Sequence, residues 1–406
     1  MASLPPILVL GLCPGSLAAP PGTRERVVTA QVLAGGQRLL AAFPDFAGER
    51  IPVTGPLDLV LDRLEAARNQ GLQVAVLADG DPLFFGLGAR LAERFGPQAL
   101  AVFPAVSAVQ IAAAHFSLPW AGIPVVSLHG RDDPGPLLAA LTHAGRAFVY
   151  TDTRNTPASL SRLLHDLSPG TFTLTVFEDL DTPDERVRRL TPEDAADLTF
   201  SALNLVLAEQ TKASDHPLSL GLPDQSFATQ QALITKGPVR AVALAALSLT
   251  PDSRLWDLGA GCGSVSIEAA ALLPRGTVHA LEKDPARLDL IRANIRRFGA
   301  WQVQASLGQA PAALAALPDP DRIFLGGGLH RSPETLAAAF DRLPPGGILV
   351  ASCILLDSLA LARDFFASRD TPAEVTLIQA AQSRPLAQDL RLEAFNPVFL
   401  VRAVKP

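Results

Sequence analysis

The feature that most constrains this chain is a glycine-rich turn in its C-terminal half, placed between an apolar run and a helical stretch. Residues 255–258 lead into Gly259-Ala260-Gly261-Cys262-Gly263, and the pattern predicts a helix over residues 265–273. Glycines let the backbone amides at a helix N-terminus approach a ligand closely. The spacing fails the dinucleotide pattern Gly-x-Gly-x-x-Gly at its last position, which is Ser264. An acid, Asp257, instead precedes the turn by two residues.

A second acid follows at the end of the next predicted strand. Residues 277–281 end in Glu282, where a carboxylate can accept hydrogen bonds from both hydroxyls of a ribose. Asp284 and Pro285 then start another helix. Two acids and a glycine turn at this spacing indicate a nucleoside cofactor. The residues predicted to bind it are Asp257, Gly259, Ala260, Gly261, Gly263 and Glu282.

Short apolar runs alternate with helical stretches through most of the chain, which is typical of α/β units around mostly parallel sheets. A chain of 406 residues is too long for one compact core. Residues 209–228 carry Ser, Pro, Asp, Gln and Gly without periodicity. We therefore predict two α/β domains, residues 1–208 and 229–406, with a linker at 209–228. Strands are predicted at residues 7–10, 74–77, 125–128, 147–150, 255–258, 277–281, 322–325 and 348–351.

Charge and hydropathy exclude several classes of protein. The net charge is −6 and no dense Lys/Arg stripe occurs, so we expect no binding to nucleic acid. No apolar run reaches the roughly 18 residues that a membrane span needs, so no membrane association is expected. The first 16 residues lack a basic segment and suggest a strand, not a signal peptide, which predicts a cytoplasmic protein. Three cysteines lie too far apart for a metal knuckle, so no metal is expected.

Four turns mark the N-terminal half. They include the segment from Gly11 to Pro14 and Gly15, the sequence Gly80-Asp81-Pro82, the segment at residues 103–110, and the segment at residues 128–131 with His129 and Arg131. Asp81 is predicted to cap a helix that has Pro82 at its first position.

Together and in this order, the four turns resemble the tetrapyrrole methylase family, whose two-lobed α/β fold uses S-adenosylmethionine. The resemblance covers residues 5–208. It implies that Gly11, Pro14, Gly80, Asp81 and Pro82 border the cofactor cleft. Two departures occur, because Cys13 and Ala105 stand where this family usually has glycine. A Cβ at either position can crowd the ligand or the backbone.

The C-terminal half resembles the decarboxylating precorrin methyltransferases of vitamin B12 biosynthesis, which have a Rossmann-like class I methyltransferase fold. Residues 234–240, 256–268, 324–327 and 396–399 carry this resemblance, which covers nearly all of 229–406. It implies that Gly326 and Gly327 face the transferred methyl group and the substrate. It also places Gln309 in the loop beside the adenine, where Gln309 either hydrogen-bonds the ring or is a solvated loop residue.

A tetrapyrrole methylase domain followed by such a domain resembles the bifunctional, decarboxylating precorrin methyltransferases. That implies one S-adenosylmethionine per domain and a substrate that is a tetrapyrrole with many carboxylates. The first domain is expected to methylate C5 of reduced precorrin-6. The second is expected to methylate C15 and decarboxylate the C12 acetate, giving precorrin-8. Both parent families associate, so a homo-oligomer is expected, and the sequence leaves open whether the substrate carries cobalt.

Basic side chains are candidates for gripping the substrate's carboxylates. Each of them also suits a solvated charge or a structural hydrogen bond, and the proton donor for decarboxylation is not identified. Two alternatives stay open: an N-terminal domain that only binds substrate for a catalytic C-terminal domain, or a methyltransferase fusion that acts on another substrate. The candidates are Lys236, Arg240 and His330, which are also the catalytic candidates, together with Arg384, His129 and Arg131.

Overall fold

The computed structural model of the chain describes residues 4–231, 233–326, 329 and 333–406. The chain separates into two compact units. Unit 1 comprises Met1–Gly130, Phe148–Arg162 and Thr173–Ala208, and unit 2 comprises Arg131–Ala147, Leu163–Phe172 and Glu209–Pro406. Across the described residues, no helix is both long enough and apolar enough to cross a membrane.

Helices and strands alternate along most of the chain, which confirms the predicted α/β class. The strands up to residue 210 are β1 (Ile7–Leu12), β2 (Val32–Gly35), β3 (Glu49–Pro52), β4 (Val74–Asp79), β5 (Leu100–Phe103), β6 (Val125–Ser127), β7 (Arg146–Tyr150), β8 (Phe172–Glu178), β9 (Arg186–Leu190) and β10 (Asn204–Gln210). The helices in that part are α1 (Thr23–Thr29), α2 (Gln37–Ala41), α3 (Leu57–Asn69), α4 (Leu87–Phe95), α5 (Ala108–His115), α6 (Gly135–Ala144), α7 (Pro157–Leu167) and α8 (Pro192–Ala195).

The remainder of the chain continues the alternation and ends in strands. Its strands are β11 (Arg254–Leu258), β12 (Thr277–Glu282), β13 (Val303–Leu307), β14 (Arg322–Leu325), β15 (Ile348–Cys353), β16 (Ala373–Ile378), β17 (Ala381–Leu386), β18 (Asp389–Ala394) and β19 (Val398–Val404). Its helices are α9 (Gly237–Leu247), α10 (Ser264–Ala270), α11 (Pro285–Phe298), α12 (Glu334–Asp341) and α13 (Leu356–Ser368). All eight predicted strands overlap observed ones.

Five parallel strands build the first sheet in the order β3-β2-β4-β1-β5. Side chains of β1 alternate between its two faces: Ile7 and Val9 pack in one core cluster, and Leu10 and Leu12 pack in another. Burial of both faces is characteristic of parallel sheets. Leu12 is paired with Asp79 at the ends of β1 and β4. The turns that follow these two strands therefore lie at one edge.

The second sheet has the order β6-β7-β10-β8-β9 and is mixed. Its β6 and β7 are parallel, whereas β8 and β9 are antiparallel.

The third sheet has the order β13-β12-β11-β14-β15-β19-β16, and its first five strands are parallel. Strand β19 runs antiparallel to both β15 and β16. The chain leaves β11 toward β12 on one side and returns to β14 on the other. Ligands of open α/β sheets bind outside the carboxyl ends of the strands at such a reversal, so the crevice after β11 and β14 is the expected site.

One predicted helix start is wrong. No helix begins at Pro82, because α4 begins at Leu87. Asp81 instead caps a turn, since its Oδ1 accepts a hydrogen bond from the Leu83 N–H at 2.9 Å. Phe85 then has a φ of +54°, a left-handed value that does not continue into a helix.

The segment predicted as a linker, residues 209–228, is assigned to unit 2. Residues 209 and 210 end β10, and the remainder contains little regular structure. The segment is nevertheless anchored: the Ala228 N–H donates to Asn294 Oδ1 at 2.8 Å, and the His216 N–H donates to the Arg297 carbonyl at 3.2 Å. The boundaries drawn at residues 208 and 229 stay predictions.

Part of this segment closes over a buried ion pair. Arg240 on α9 is fully buried, and its Nε donates to Glu268 Oε1 at 2.7 Å. Its two Nη atoms donate to the carbonyls of Thr235 and Leu222, both at 2.6 Å. Glu268 also accepts hydrogen bonds from the N–H groups at residues 221 and 222. A buried charge costs several kcal/mol unless it is paired and hydrogen-bonded, and here both partners are satisfied.

Glu268→Gln is expected to destabilise unit 2 by about 3 kcal/mol. The substitution removes the buried carboxylate that pairs with Arg240, so that Arg240 keeps the partly exposed Asp224 carboxylate at 3.2 Å, and an amide N–H₂ then faces a backbone donor. The measurement is the free energy of unfolding in urea, followed by the fluorescence of Trp256 and Trp301, which are fully buried in unit 2. The control is Asp252→Asn, which removes the exposed pair with Arg275 and is expected to leave the transition unchanged. Equal changes in the free energy of unfolding for Glu268→Gln and Asp252→Asn would contradict a stabilising role of the buried pair.

Candidate functional site

The glycine turn of unit 2 begins where β11 ends. Gly259, Gly261 and Gly263 have φ angles of +75°, +61° and +80°, a left-handed region that favours glycine. The N–H groups of Gly259 and Ala260 donate to the Leu281 carbonyl at 2.9 and 3.2 Å. The turn is thus fastened to the end of β12, and α10 starts directly after it at Ser264.

Glu282 ties the same turn from the other side. Its Oε2 accepts a hydrogen bond from the Gly261 N–H at 2.8 Å, and its Oε1 accepts from the N–H groups of Lys283 and Asp284 at 3.0 and 3.1 Å. A carboxylate has about four lone-pair positions. Three are used here, which leaves capacity for a ligand hydroxyl at the place predicted for the ribose.

Asp257 lies behind the turn and supports it. The carboxyl is buried, and its Oδ2 accepts hydrogen bonds from the Ser266 N–H at 3.1 Å and from Ser266 Oγ at 2.5 Å. Burial raises the pKa of Asp257 to about 6, although the Ser266 hydrogen bonds act in the opposite direction. Asp257 therefore contacts the first turn of α10.

Gly326 follows β14 and closes the crevice. Its N–H donates to the Leu258 carbonyl at 2.9 Å, and a Cβ at this position would lie 2.6 Å from the Gly259 carbonyl oxygen. The close approach is thus between two backbone segments. Gln309 is exposed just beyond β13 and follows Gly308, whose N–H donates to the Glu282 carbonyl at 2.9 Å. The predicted residues Gly327 and His330 lie outside the described residues.

The basic candidates of unit 2 occupy different places. Arg240 is in the core with its donors engaged, so we withdraw it as a substrate-binding or catalytic candidate. Lys236 occupies the N-cap position of α9, with Nζ 3.9 Å from Asp224 Oδ2. Arg384 lies on the exposed hairpin of β17 and β18, where its Nε donates to Glu393 Oε2 at 3.0 Å.

Unit 1 contains a cavity of about 540 Å³ at the ends of β1 and β4. Four predicted residues line it, namely Pro14, Gly80, Asp81 and His129. Its volume is within the range typical of small-molecule sites. The remaining predicted residues of this half are placed elsewhere: Pro82 is buried, and Arg131 is exposed and outside the lining.

Gly11 sits where the turns of unit 1 meet. A Cβ on Gly11 would lie 2.1 Å from the Gly80 carbonyl oxygen and 2.6 Å from the Ala105 nitrogen, so no other residue fits. Gly80 has a φ of +59°. Neither Cys13 nor Ala105, the departures from the family pattern, has a positive φ. The backbone therefore accommodates both without strain.

Several lining residues of this cavity were not predicted. Phe84 and Phe85 line it together with Tyr150, which is the one tyrosine of the chain. The ring centroids of Phe84 and Phe85 are 4.8 Å apart, and those of Phe85 and Tyr150 are 6.0 Å apart. The sequence signal that could have indicated them is the pair of phenylalanines directly after Gly-Asp-Pro-Leu.

The pKa of Asp257 predicts a pH-dependent stability. The native state holds this proton more tightly than the unfolded chain, so the carboxyl's contribution to stability falls as pH rises from about 4 to about 6. Between about pH 4.5 and pH 7, Asp257→Asn is expected to gain about 2 kcal/mol relative to the unsubstituted chain. The measurement is urea unfolding at both pH values, with the exposed acid of Asp289→Asn as the control. If the difference in unfolding free energy between Asp257→Asn and the unsubstituted chain is the same at both pH values, the pKa of Asp257 is not raised.

Comparison with known proteins gives two family models that divide the chain. The model described as "Tetrapyrrole (Corrin/Porphyrin) Methylases" matches residues 7–196, and the model "Precorrin methyltransferase domain" matches residues 225–405. A Mycobacterium tuberculosis protein named precorrin-6Y C(5,15)-methyltransferase [decarboxylating] is 34% identical over 365 residues, covering 87% of this chain and 88% of that protein.

Two further relatives agree with this result. A Sinorhizobium protein of the same name is 34% identical over 372 residues, covering 89% of this chain and 88% of its own length. A Salmonella typhimurium protein named cobalt-precorrin-7 C(5)-methyltransferase is 33% identical over 205 residues, covering 50% of this chain and 99% of that protein. Identity above 30% along nearly the whole length of two relatives places the chain among them: it belongs to the precorrin-6Y C(5,15)-methyltransferase (decarboxylating) family.

Proposed function

We propose that this chain methylates reduced precorrin-6 at C5 in unit 1 and at C15 in unit 2, and that unit 2 also decarboxylates the C12 acetate. The product is precorrin-8. The observation that supports the proposal most directly is that each family model covers one half of the chain, and that each half has its own glycine turns at the carboxyl ends of parallel strands.

The residues of unit 2 fit S-adenosylmethionine. A Cβ placed on Gly261 meets no atom within 4 Å, so the turn has open space on the side of that residue. Glu282 has capacity for a ribose hydroxyl, and the amides at the start of α10 suit a carboxylate. We therefore assign Gly259, Gly261 and Glu282 to this cofactor, with Asp257 holding α10 behind them.

The residues of unit 1 fit a second S-adenosylmethionine. The cavity has the volume of a small-molecule site, and the Gly80-Asp81 turn forms part of its wall. The Asp81 Oδ1 is engaged by the Leu83 N–H, which fixes this turn. Each unit thus holds its own cofactor, giving two per chain.

S-adenosylmethionine supplies an activated methyl group when it is bound. The chain's own residues have to align the ring carbon and exclude water, because the electron-rich macrocycle needs no protein nucleophile. For each methyl group that is added, the macrocycle gives up one proton. Decarboxylation releases carbon dioxide from the C12 acetate, and that carbon takes a proton. Lys236 is the remaining described candidate for this donor.

The product of the full chain tests the proposal. Incubation with metal-free reduced precorrin-6 and methyl-labelled S-adenosylmethionine is expected to add two labelled methyl groups and to remove one carbon dioxide, as measured by mass spectrometry. One methyl with loss of carbon dioxide would make unit 1 a binding module. No change with this substrate, followed by turnover of the cobalt-bearing form, would assign the chain to the cobalt-containing route.

A substitution in unit 2 separates the two activities. Glu282→Gln loses one carboxylate oxygen that anchors the turn and accepts from the ribose, so C15 methylation is expected to fall about 10- to 100-fold while C5 methylation persists. Calorimetry is expected to show one of two S-adenosylmethionine sites weakened. Asp289→Asn, an exposed acid on α11, serves as the matched control. Loss of both methyl groups would contradict the division of labour.

We also propose that the chain forms a homo-oligomer through the hairpin of β17 and β18. Leu390 and Leu392 lie on one face of β18 and are 63% and 76% exposed. Two large apolar side chains on one face of an exposed hairpin are typical of an association surface.

The double variant Leu390→Ser/Leu392→Ser is expected to shift the chain toward the monomer in sedimentation velocity, because the association loses its apolar contact. Leu59→Ser is the matched control, since this side chain on α3 is 62% exposed. An unchanged sedimentation coefficient for the double variant would rule out the hairpin as the contact.

A further inference from the structure

Each unit has a run of exposed apolar side chains that follows a parallel strand. Apolar run 1 is residues 83–85, with Leu83, Phe84 and Phe85 exposed by 52%, 37% and 51%. Apolar run 2 is residues 354–356, with Ile354, Leu355 and Leu356 exposed by 61%, 48% and 71%. Among the residues that the structure describes, these two are the only runs of three consecutive large apolar residues in which every side chain is exposed.

Both runs lie at the sheet edge that carries the proposed cofactor turn of their unit. Apolar run 1 follows Gly80-Asp81-Pro82, and Phe84 and Phe85 line the unit 1 cavity. Apolar run 2 follows β15 directly. Ala351 of β15 is paired with Leu325 of β14, which is paired with Leu258 of β11. Neighbouring strands are about 4.8 Å apart, so β15 ends about 10 Å along the sheet edge from the glycine turn.

Each run also breaks a local rule of chain conformation. Leu355 is the N-cap of α13 and makes no capping hydrogen bond, where Ser, Thr, Asp or Asn is preferred. Phe85 has a φ of +54°, which is strained for a bulky side chain. Apolar residues in water at locally unfavourable positions are expected at functional sites. Both exceptions fall next to a candidate site.

The composition of the runs matches one face of a tetrapyrrole. The six side chains are uncharged, and an acid flanks each run, Asp81 before run 1 and Asp357 after run 2. An apolar ring face suits the runs, whereas the acids repel carboxylates. In unit 1 the rings of Phe84 and Phe85 are tilted by 60° to each other, so they are not parallel and do not form a narrow gap that would hold a flat adenine ring.

We propose that apolar run 1 and apolar run 2 each support the ring face of the tetrapyrrole, so that one macrocycle is positioned against two separate apolar platforms in turn. This inference rests on the proposed function. The runs are positioning elements: they set where the ring lies relative to the cofactor turn, and the flanking acids direct its carboxylates away from that turn.

The test uses two substitutions that local rules expect to stabilise the fold. Leu355→Ser supplies a helix cap, and Phe85→Gly relieves the positive φ. If the runs support the ring, Leu355→Ser raises the KM of C15 methylation about fivefold and leaves C5 methylation unchanged. Phe85→Gly raises the KM of C5 methylation about tenfold and leaves C15 methylation unchanged. The thermal midpoint of Leu355→Ser is expected not to fall, whereas Phe85→Gly also loses ring contacts with Phe84 and Tyr150, so its midpoint is compared with that of Phe116→Gly, which loses a ring contact with Phe177.

Matched controls have the same residue type and exposure. Leu377→Ser on β16 starts from 47% exposure, and Phe116→Gly after α5 starts from 53%. Both are expected to leave the two KM values for the macrocycle unchanged.

Binding gives a readout that is independent of turnover. Calorimetry with reduced precorrin-6 is expected to show one weakened macrocycle site in each test variant, with both S-adenosylmethionine sites intact. The proposal is overturned if a test variant behaves like its control, if the cofactor's affinity falls instead, or if sedimentation shows that the run joins two chains. If the unsubstituted chain adds only one methyl group, the proposed function of one unit is wrong, and this outcome is distinct from a failure of the platforms.

Discussion

Both candidate sites depend on a place where one backbone segment touches another and no side chain fits between them. In unit 1 the Gly11 position touches the Gly80 carbonyl, and in unit 2 the Gly326 position touches the Gly259 carbonyl. These contacts bring the turns after neighbouring parallel strands into one crevice. The Gly80-Asp81 turn forms part of the cavity wall of unit 1, and the glycine turn of unit 2 is anchored by Glu282 at the end of β12.

Unit 2 uses its charges in two ways that the sequence does not distinguish. Arg240 looks like a residue that grips carboxylates, yet its donors meet Glu268 and two carbonyls inside the core. Glu282 and Asp257 are also buried, but they hold the glycine turn and the start of α10. The buried charge of Arg240 therefore closes the core, whereas the buried acids Glu282 and Asp257 fix the conformation of the glycine turn and of the start of α10.

The glycine turn of unit 2 could be predicted because its signal is local. Strand, glycines, helix and second acid lie within residues 255–282, and each part is recognisable from its neighbours. The eight predicted strands are buried apolar runs and were confirmed for the same reason. The exposed strands β17 and β18 were missed, because neither is a buried apolar run; β18 shows only a short alternation of Leu390 and Leu392 with polar residues.

Other features depend on contacts distant in sequence. The burial of Arg240 requires Leu222 and Glu268, and nothing near residue 240 indicates them. The turn after Asp81 depends on the φ of Phe85, which a sequence pattern does not reveal. The family resemblance gave the chemistry, whereas the ligand-binding and catalytic assignments, those of Gln309, Lys236, His129 and Arg131 among them, remain predictions.

The contacts that residues 222 and 224 make with Arg240 also determine where this chain can be divided. A fragment that begins at residue 229, the boundary suggested by composition, lacks the Leu222 carbonyl and the Asp224 carboxylate that Arg240 contacts. Such a fragment contains the entire glycine turn but has an opened core. A fragment that keeps these contacts of Arg240 and Glu268 therefore begins before Gly221, inside the stretch that looks like a spacer.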